Sequence, residues 1–254
     1  GEAAPSGGAD DAAAAEGEVA DALAAAAVVN VTRVVQIGCD LDSARWSVGV
    51  AERHPQVVAG VSLHPTTATR IVARHGESAL AEALAEIAAL AAHPRVRVIG
   101  ETGLDHYWVP ADDTAGRLAQ ETSFRAHIDL AKRLDTVLQI HDRDAHDDVL
   151  RVLAEGGAPP RTVFHCFSGD AALARFCAEQ GWYLSFAGPI TFKANDELRA
   201  ALRAVPVGQV LVETDAPYLT PHPHRGRPNG SYLVPLTVRR MAAELGLAEE
   251  QLCE

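Results

Sequence analysis

From about residue 30 onward the chain repeats one unit: a short apolar, β-branched run, a polar loop, then an Ala/Leu-rich stretch with helical spacing. The apolar runs predict strands at 31–37, 57–63, 96–100, 136–140, 162–165, 183–186 and 209–213. They are nearly continuous in hydrophobicity, as strands covered on both faces are. Helices are predicted at 43–53, 78–92, 118–134, 144–155, 171–180, 195–204 and 235–245, with Pro55, Pro94, Pro159 and Pro206 as stops between helix and strand. Ahead of the first unit, residues 1–8 read as loop or disorder. From Asp10 the composition permits a helix, with Val19, Leu23 and Ala27 on one stripe.

Strand–helix units in series predict parallel α/β architecture. No GxGxxG turn and no GxxxxGK[ST] loop is present, so dinucleotide and P-loop nucleotide binding have no support. Of the two remaining designs, a doubly wound sheet would spread His64, Glu101, His141, His165 and Asp215 along its edge. A TIM-type (β/α)8 barrel gathers strand ends at one mouth, and this is the fold expected here. Seven strands are one short of closure, and a helix precedes the first. The pattern favours a first strand absent from this sequence over an irregular closure. The expected organisation is an Ala/Gly-rich segment at 1–27 and one barrel domain at 28–254.

Charge limits the mode of binding. With 22 basic and 34 acidic residues the formal net charge is -12, which argues against holding nucleic acid on a basic surface but not against gripping it through metal ions and a few arginines. Cys39, Cys166, Cys177 and Cys253 match no metal or redox spacing, and a reducing cytoplasm is the expected compartment. Neither membrane association nor an obligate protein partner is expected, and a monomer is the default.

Candidate chemistry lies in four segments that begin where apolar runs end: Gly100 to Asp105, His141 to Ala145, His165 to Gly169, and Glu213 to Pro217. Their imidazoles and carboxylates suit one or two divalent ions, Zn²⁺ or Mn²⁺ ahead of the more oxygen-seeking Mg²⁺. Glu101, His141, His165 and Asp215 are the expected ligands, with Asp215 serving as ligand or base. Strand alternation is expected to turn Glu213 away from Asp215. His64 reads equally as ligand, substrate contact or lid residue, Asp105 as support or loop structure, and Cys166 as a packed residue. Arg143 either clamps a substrate anion or pairs with Asp142, Asp144 or another acid. Lys193 and a local basic rim of His222, His224, Arg225 and Arg227 are expected substrate contacts.

At these segments the chain closely resembles the TatD family of metal-dependent hydrolases, within the amidohydrolase-like barrels. The family's Gly-Glu-x-Gly-Leu-Asp is matched by Gly100 to Asp105, His-x-Arg-Asp-Ala by His141 to Ala145, His-Cys-Phe-Ser-Gly by His165 to Gly169, and Glu-Thr-Asp-Ala-Pro-Tyr-Leu by Glu213 to Leu219. The resemblance implies metal ligation by Glu101, His141, His165 and Asp215, with a phosphate-side role for Arg143 and catalysis by Asp215, Glu101 and Arg143. It also implies hydrolysis of DNA from the 3′ end, on single strands or 3′ ends. The chain departs from the pattern in lacking the His-x-His of the first strand. Thr66 stands where a second histidine follows His64-Pro65, Gly230-Ser231 follow Asn229 in place of Glu-Pro, and the closing Thr-x-x-Asn helix is absent. A metal-dependent amidase, lactonase or small-ester hydrolase, or a catalytically silent binding barrel, are the alternatives.

Overall fold

A computed structural model describes residues 9–254; the loop expected at 1–8 lies outside the described residues. In chain order the elements are α1 (Ala9–Val28), β1 (Val34–Gly38), α2 (Leu41–Arg53), β2 (Val57–Val61), α3 (Pro65–His75), α4 (Glu77–Ala91), β3 (Val96–Asp105), α5 (Thr114–Arg133), β4 (Val137–Arg143), α6 (His146–Gly156), β5 (Thr162–Phe164), α7 (Ala171–Glu179), β6 (Tyr183–Phe186), α8 (Asp196–Arg203), β7 (Val210–Val212), α9 (Val234–Leu245) and α10 (Glu249–Cys253).

All seven strands pair in parallel and in sequence order, β1 to β7. The result is a curled sheet wrapped by helices, consistent with a TIM-type barrel whose first strand is not among the described residues. The strand residues Val61, Ile99, Leu138, Ile140, Phe164, Leu184 and Phe186 are all buried, in one apolar core shared with the helices. At the two free edges Val35, Leu211 and Val212 stay partly exposed. Helix α1 packs Val19 and Leu23 onto the core and contacts the turn at Ser231–Leu233 that leads into α9. No helix among the described residues is long and apolar enough to cross a membrane.

Two strand ends differ from the sequence expectation, and each moves candidate residues. Strand β3 runs on through Glu101 to Asp105, and β4 through His141 to Arg143, so these polar residues ride on strands rather than on the loops after them. The extension depends on glycine. A Cβ on Gly103, at φ +140, would sit 2.1 Å from the His141 carbonyl oxygen, and one on Gly100 would meet Gln139 at 2.5 Å. Only hydrogen at these positions lets β3 lie against β4. The register slips here: Ile99 faces Leu138, yet Thr102 faces Ile140, a bulge that re-aims Glu101.

Helix α3 was not expected, because Thr66, Thr67 and Thr69 weaken helical propensity. Its start is set by capping instead. His64 Nδ1 accepts the Thr66 N–H at 3.2 Å, and Pro65 fills the first helical position. Short α10 was likewise unexpected.

Candidate metal centre

Three imidazoles converge on a single carboxylate oxygen. Glu101 Oε1 lies 2.8 Å from His141 Nδ1, 3.3 Å from His64 Nε2 and 3.4 Å from His165 Nε2. The His64 and His141 rings meet edge to face at 4.5 Å, while His141 and His165 stack at 6.2 Å. Glu101 and His141 lie on β3 and β4, and His64 and His165 follow the ends of β2 and β5, so parallel pairing in sequence order is what places them at one mouth.

Each of two imidazoles spends its second nitrogen on another carboxylate. His141 Nε2 lies 3.1 Å from Asp105 Oδ2, and His165 Nδ1 lies 3.1 Å from Glu213 Oε2. Glu213 also accepts the Cys166 N–H through its other oxygen. This corrects the expectation for Glu213. Strand β7 stops at Val212, and residues two apart would in any case share a strand face, so Glu213 turns inward to His165. Asp105 closes β3, buried, and holds His141 rather than forming loop.

The electrostatics follow from this sandwich. Burial pushes the Glu101 carboxyl up, but His165, His141 and His64 outweigh it and hold it well below the usual carboxylate range. Burial opposes the charging of His165, yet Glu213 and Glu101 raise it well above the ordinary histidine value. His141 is raised likewise: burial opposes its charge, and Asp105 and Glu101 overcome it. Asp215 sits in the left-handed region at φ 55, half-buried. Burial pushes its carboxyl up to about 6, with His165 opposing and Glu101 and Glu213 adding to the rise. Burial also lifts the Cys39 and Cys166 thiols to about 12, so neither offers a thiolate.

The donor set fits a divalent metal. Ligand atoms of Glu101, His141 and His165 lie within 4.8 Å of one another, and so do those of His64, Asp105 and His141. Histidines that give one nitrogen to a shared centre and the other to a carboxylate are arranged as metal ligands are. Asp215 belongs to neither triad, although its charge couples to both His165 and Glu101.

The remaining candidates spread around the mouth. His64 is in the cluster, its Nδ1 held 2.8 Å from Thr66 Oγ1, so the threonine standing in for the family histidine fixes the ring. Arg143 meets no acid among the described residues. Its guanidinium lies 4.1 Å above the Tyr107 ring instead, against the ion-pair alternative. Lys193, His222, Arg225 and Arg227 are exposed, and His224 is half-buried. Arg225 lies 4.0 Å over Phe192, and the His222 N–H donates to Thr191 Oγ1 at 2.8 Å. Buried Asn229 ties this loop to the Asp215 segment, donating to the carbonyls of Thr214 at 2.7 Å and Tyr218 at 2.6 Å. Sequence reasoning missed the roles of Glu213 and Asn229. The signal for the first was its i, i+2 spacing to Asp215, and for the second nothing local.

Comparison with known proteins points to one family. The sequence model of the TatD related DNase family matches residues 9–254. The chain is 48% identical over 229 residues to the uncharacterized metal-dependent hydrolase TatD of Mycobacterium tuberculosis, covering 89% of this chain and 83% of that one. It is 36% identical over 213 residues to the uncharacterized metal-dependent hydrolase YabD of Bacillus subtilis, covering 84% and 79%. In fold it superposes on the crystal structure of YJJV, a TatD homologue from Escherichia coli, with a TM-score of 0.81 at 23% identity, over 93% of this chain and 87% of the other. The chain is a metal-dependent hydrolase of the TatD-related DNase family.

Proposed function

We propose that this protein hydrolyses phosphodiester bonds of DNA, trimming single strands from the 3′ end as a monomer. The observation that carries the reading is the single Glu101 oxygen within reach of three imidazoles, with Asp215 electrostatically coupled to it. Glu101, His141 and His165 would hold one ion with Asp215 nearby, and His64 and Asp105 extend the donor set around His141. Bound divalent ions supply Lewis acidity, which neutralises phosphoryl charge and acidifies water.

The chain's own groups do the rest. With a carboxyl at about 6, Asp215 is ionised at neutral pH and basic enough to take a proton from the attacking water. Asp105 and Glu213 keep the two imidazoles turned toward Glu101. Arg143, Lys193, Arg225 and Arg227 put local positive charge against phosphates on a chain that is acidic overall, with His222 and His224 beside them as further contacts.

Digestion of 3′-labelled and 5′-labelled single-stranded DNA tests this, with Mg²⁺, Mn²⁺ or Zn²⁺ beside EDTA and Asp215→Asn controls. Stepwise metal-dependent loss from the 3′ end, absent in the variant, is the expected result. Intact DNA in the presence of metal-loaded protein would overturn it.

A further inference from the structure

We infer that Tyr107 and Trp108, braced by Arg143, form a stacking corner for an unpaired nucleobase of the strand held at the metal centre. This rests on the reading that the chain acts on DNA.

The corner is built, not incidental. Tyr107 is 55% and Trp108 64% exposed, the rings meeting at 89° with centroids 5.0 Å apart. Exposed aromatics scattered singly need no explanation, but two perpendicular rings make two walls. A flat base can lie on one ring and meet the other edge-on, the geometry that aromatic pairs prefer. Their turn is fastened at several points. The Trp108 N–H donates to Asp105 Oδ1 at 2.9 Å, the His106 N–H donates to the Arg143 carbonyl at 2.9 Å, and Val109 is buried beneath. The fold thus spends hydrogen bonds and a buried valine to hold two large rings in water.

Position and charge identify the occupant. Asp105 gives one oxygen to Trp108 and the other to His141, so the corner and the candidate metal ligand share one carboxylate. Arg143 stands two residues beyond His141 on β4, about 7 Å along the strand. Its guanidinium lies 4.1 Å over Tyr107 and 5.9 Å from the Trp108 centroid. With a cation already on the aromatic face, a second cation is disfavoured. A π-faced ligand carrying negative charge is favoured, which a nucleobase with its phosphate satisfies. A base inside a duplex has both faces covered by its stacked neighbours, so the corner favours the unstacked bases of a single strand.

The test compares wild type, Trp108→Ala, Trp108→Phe and Tyr107→Ala on single-stranded oligothymidylate and on the same strand with its two 3′-terminal bases removed. Trp108→Ala is expected to raise KM for the intact strand about 10-fold, with the loss in KM rather than kcat and mostly rescued by Trp108→Phe. Wild type should bind the abasic strand as weakly as Trp108→Ala binds the intact one. Quenching of tryptophan fluorescence by an uncleavable phosphorothioate strand gives a readout independent of catalysis, with Trp46→Phe removing the other partly exposed tryptophan. Equal KM and equal quenching across wild type and the alanine variants would overturn the corner while leaving the nuclease reading intact. Trp108-dependent quenching with no cleavage would overturn the nuclease reading and keep the corner. Neither quenching nor cleavage would overturn both.

Discussion

Asp105 reaches His141 across the β3–β4 pair, its Oδ2 3.1 Å from Nε2, and it is nearly inaccessible to solvent. A buried carboxylate beside an imidazole fixes which nitrogen is left for a metal and raises the basicity of that nitrogen. Asp105→Ala should therefore lower divalent-metal affinity about 10- to 100-fold. Competition with a chelating indicator reads this directly, and an unchanged affinity would remove Asp105 from the metal centre.

Glu213 stands to His165 as Asp105 does to His141. Glu213→Gln keeps the shape of the side chain but removes the charge that holds His165 protonated or metal-facing. The expected result is weaker metal binding with a native circular dichroism spectrum. Metal at 100 times its Kd should stabilise wild type by about 2.7 kcal/mol, and that protection should shrink in the variant at the same metal concentration.

Asp215→Asn tests the proton acceptor apart from the metal. The amide cannot take a proton from water, so turnover of DNA should fall at least about 100-fold. Asp215 lies outside both donor triads, so metal content after dialysis should stay close to wild type. Loss of metal together with activity would make Asp215 a ligand first and a base second.

His127 gives a pH prediction remote from the chemistry. It is fully buried on α5, its Nδ1–H donating to the Ser123 carbonyl at 2.7 Å and its Nε2 accepting the Leu63 N–H at 3.2 Å. Burial lowers its pKa to about 4 in the folded protein, against 6.5 for an ordinary histidine. Between those values the unfolded chain binds more protons, so this contribution to stability is intact at neutral pH and is lost as pH falls toward 4. The full loss is roughly 3 kcal/mol. Urea unfolding at pH 7 and pH 4.5 should show wild type losing more stability than His127→Gln.

Gly103→Ala should be among the most damaging single-atom changes in the barrel. The added methyl would overlap the His141 carbonyl at 2.1 Å, and φ +140 is itself strained for alanine. Overpacking and backbone strain together cost about 3 kcal/mol or more. Since the clash moves the His141 backbone, metal affinity should fall with stability, which unfolding and chelator titrations read separately.

Much of the fold was legible because local physics sets it. Strand 183–186 and the helices at 43–53 and 171–180 follow apolar periodicity and capping residues such as Asp40 and Asp170. That the described residues hold seven strands, one short of closure, was legible by counting. Helix α3 was not, because a histidine cap and a proline start it against the propensity of its threonines. The ends of β3 and β4 were not, because their last residues are polar and are held as strand only by each other.

At the site the same division holds. By itself the sequence determined which donors are available, Glu101, His141, His165 and Asp215, and that two glycines flank the glutamate, because motif and spacing are local properties. Only the tertiary structure decided that one Glu101 oxygen is shared by three imidazoles, that Asp105 and Glu213 back two of them, and that Arg143 lies on an aromatic ring rather than on an acid. Those relationships join residues far apart in the chain. They arise from the curl of a parallel sheet and one bulge in it, and neither leaves a periodic trace in sequence.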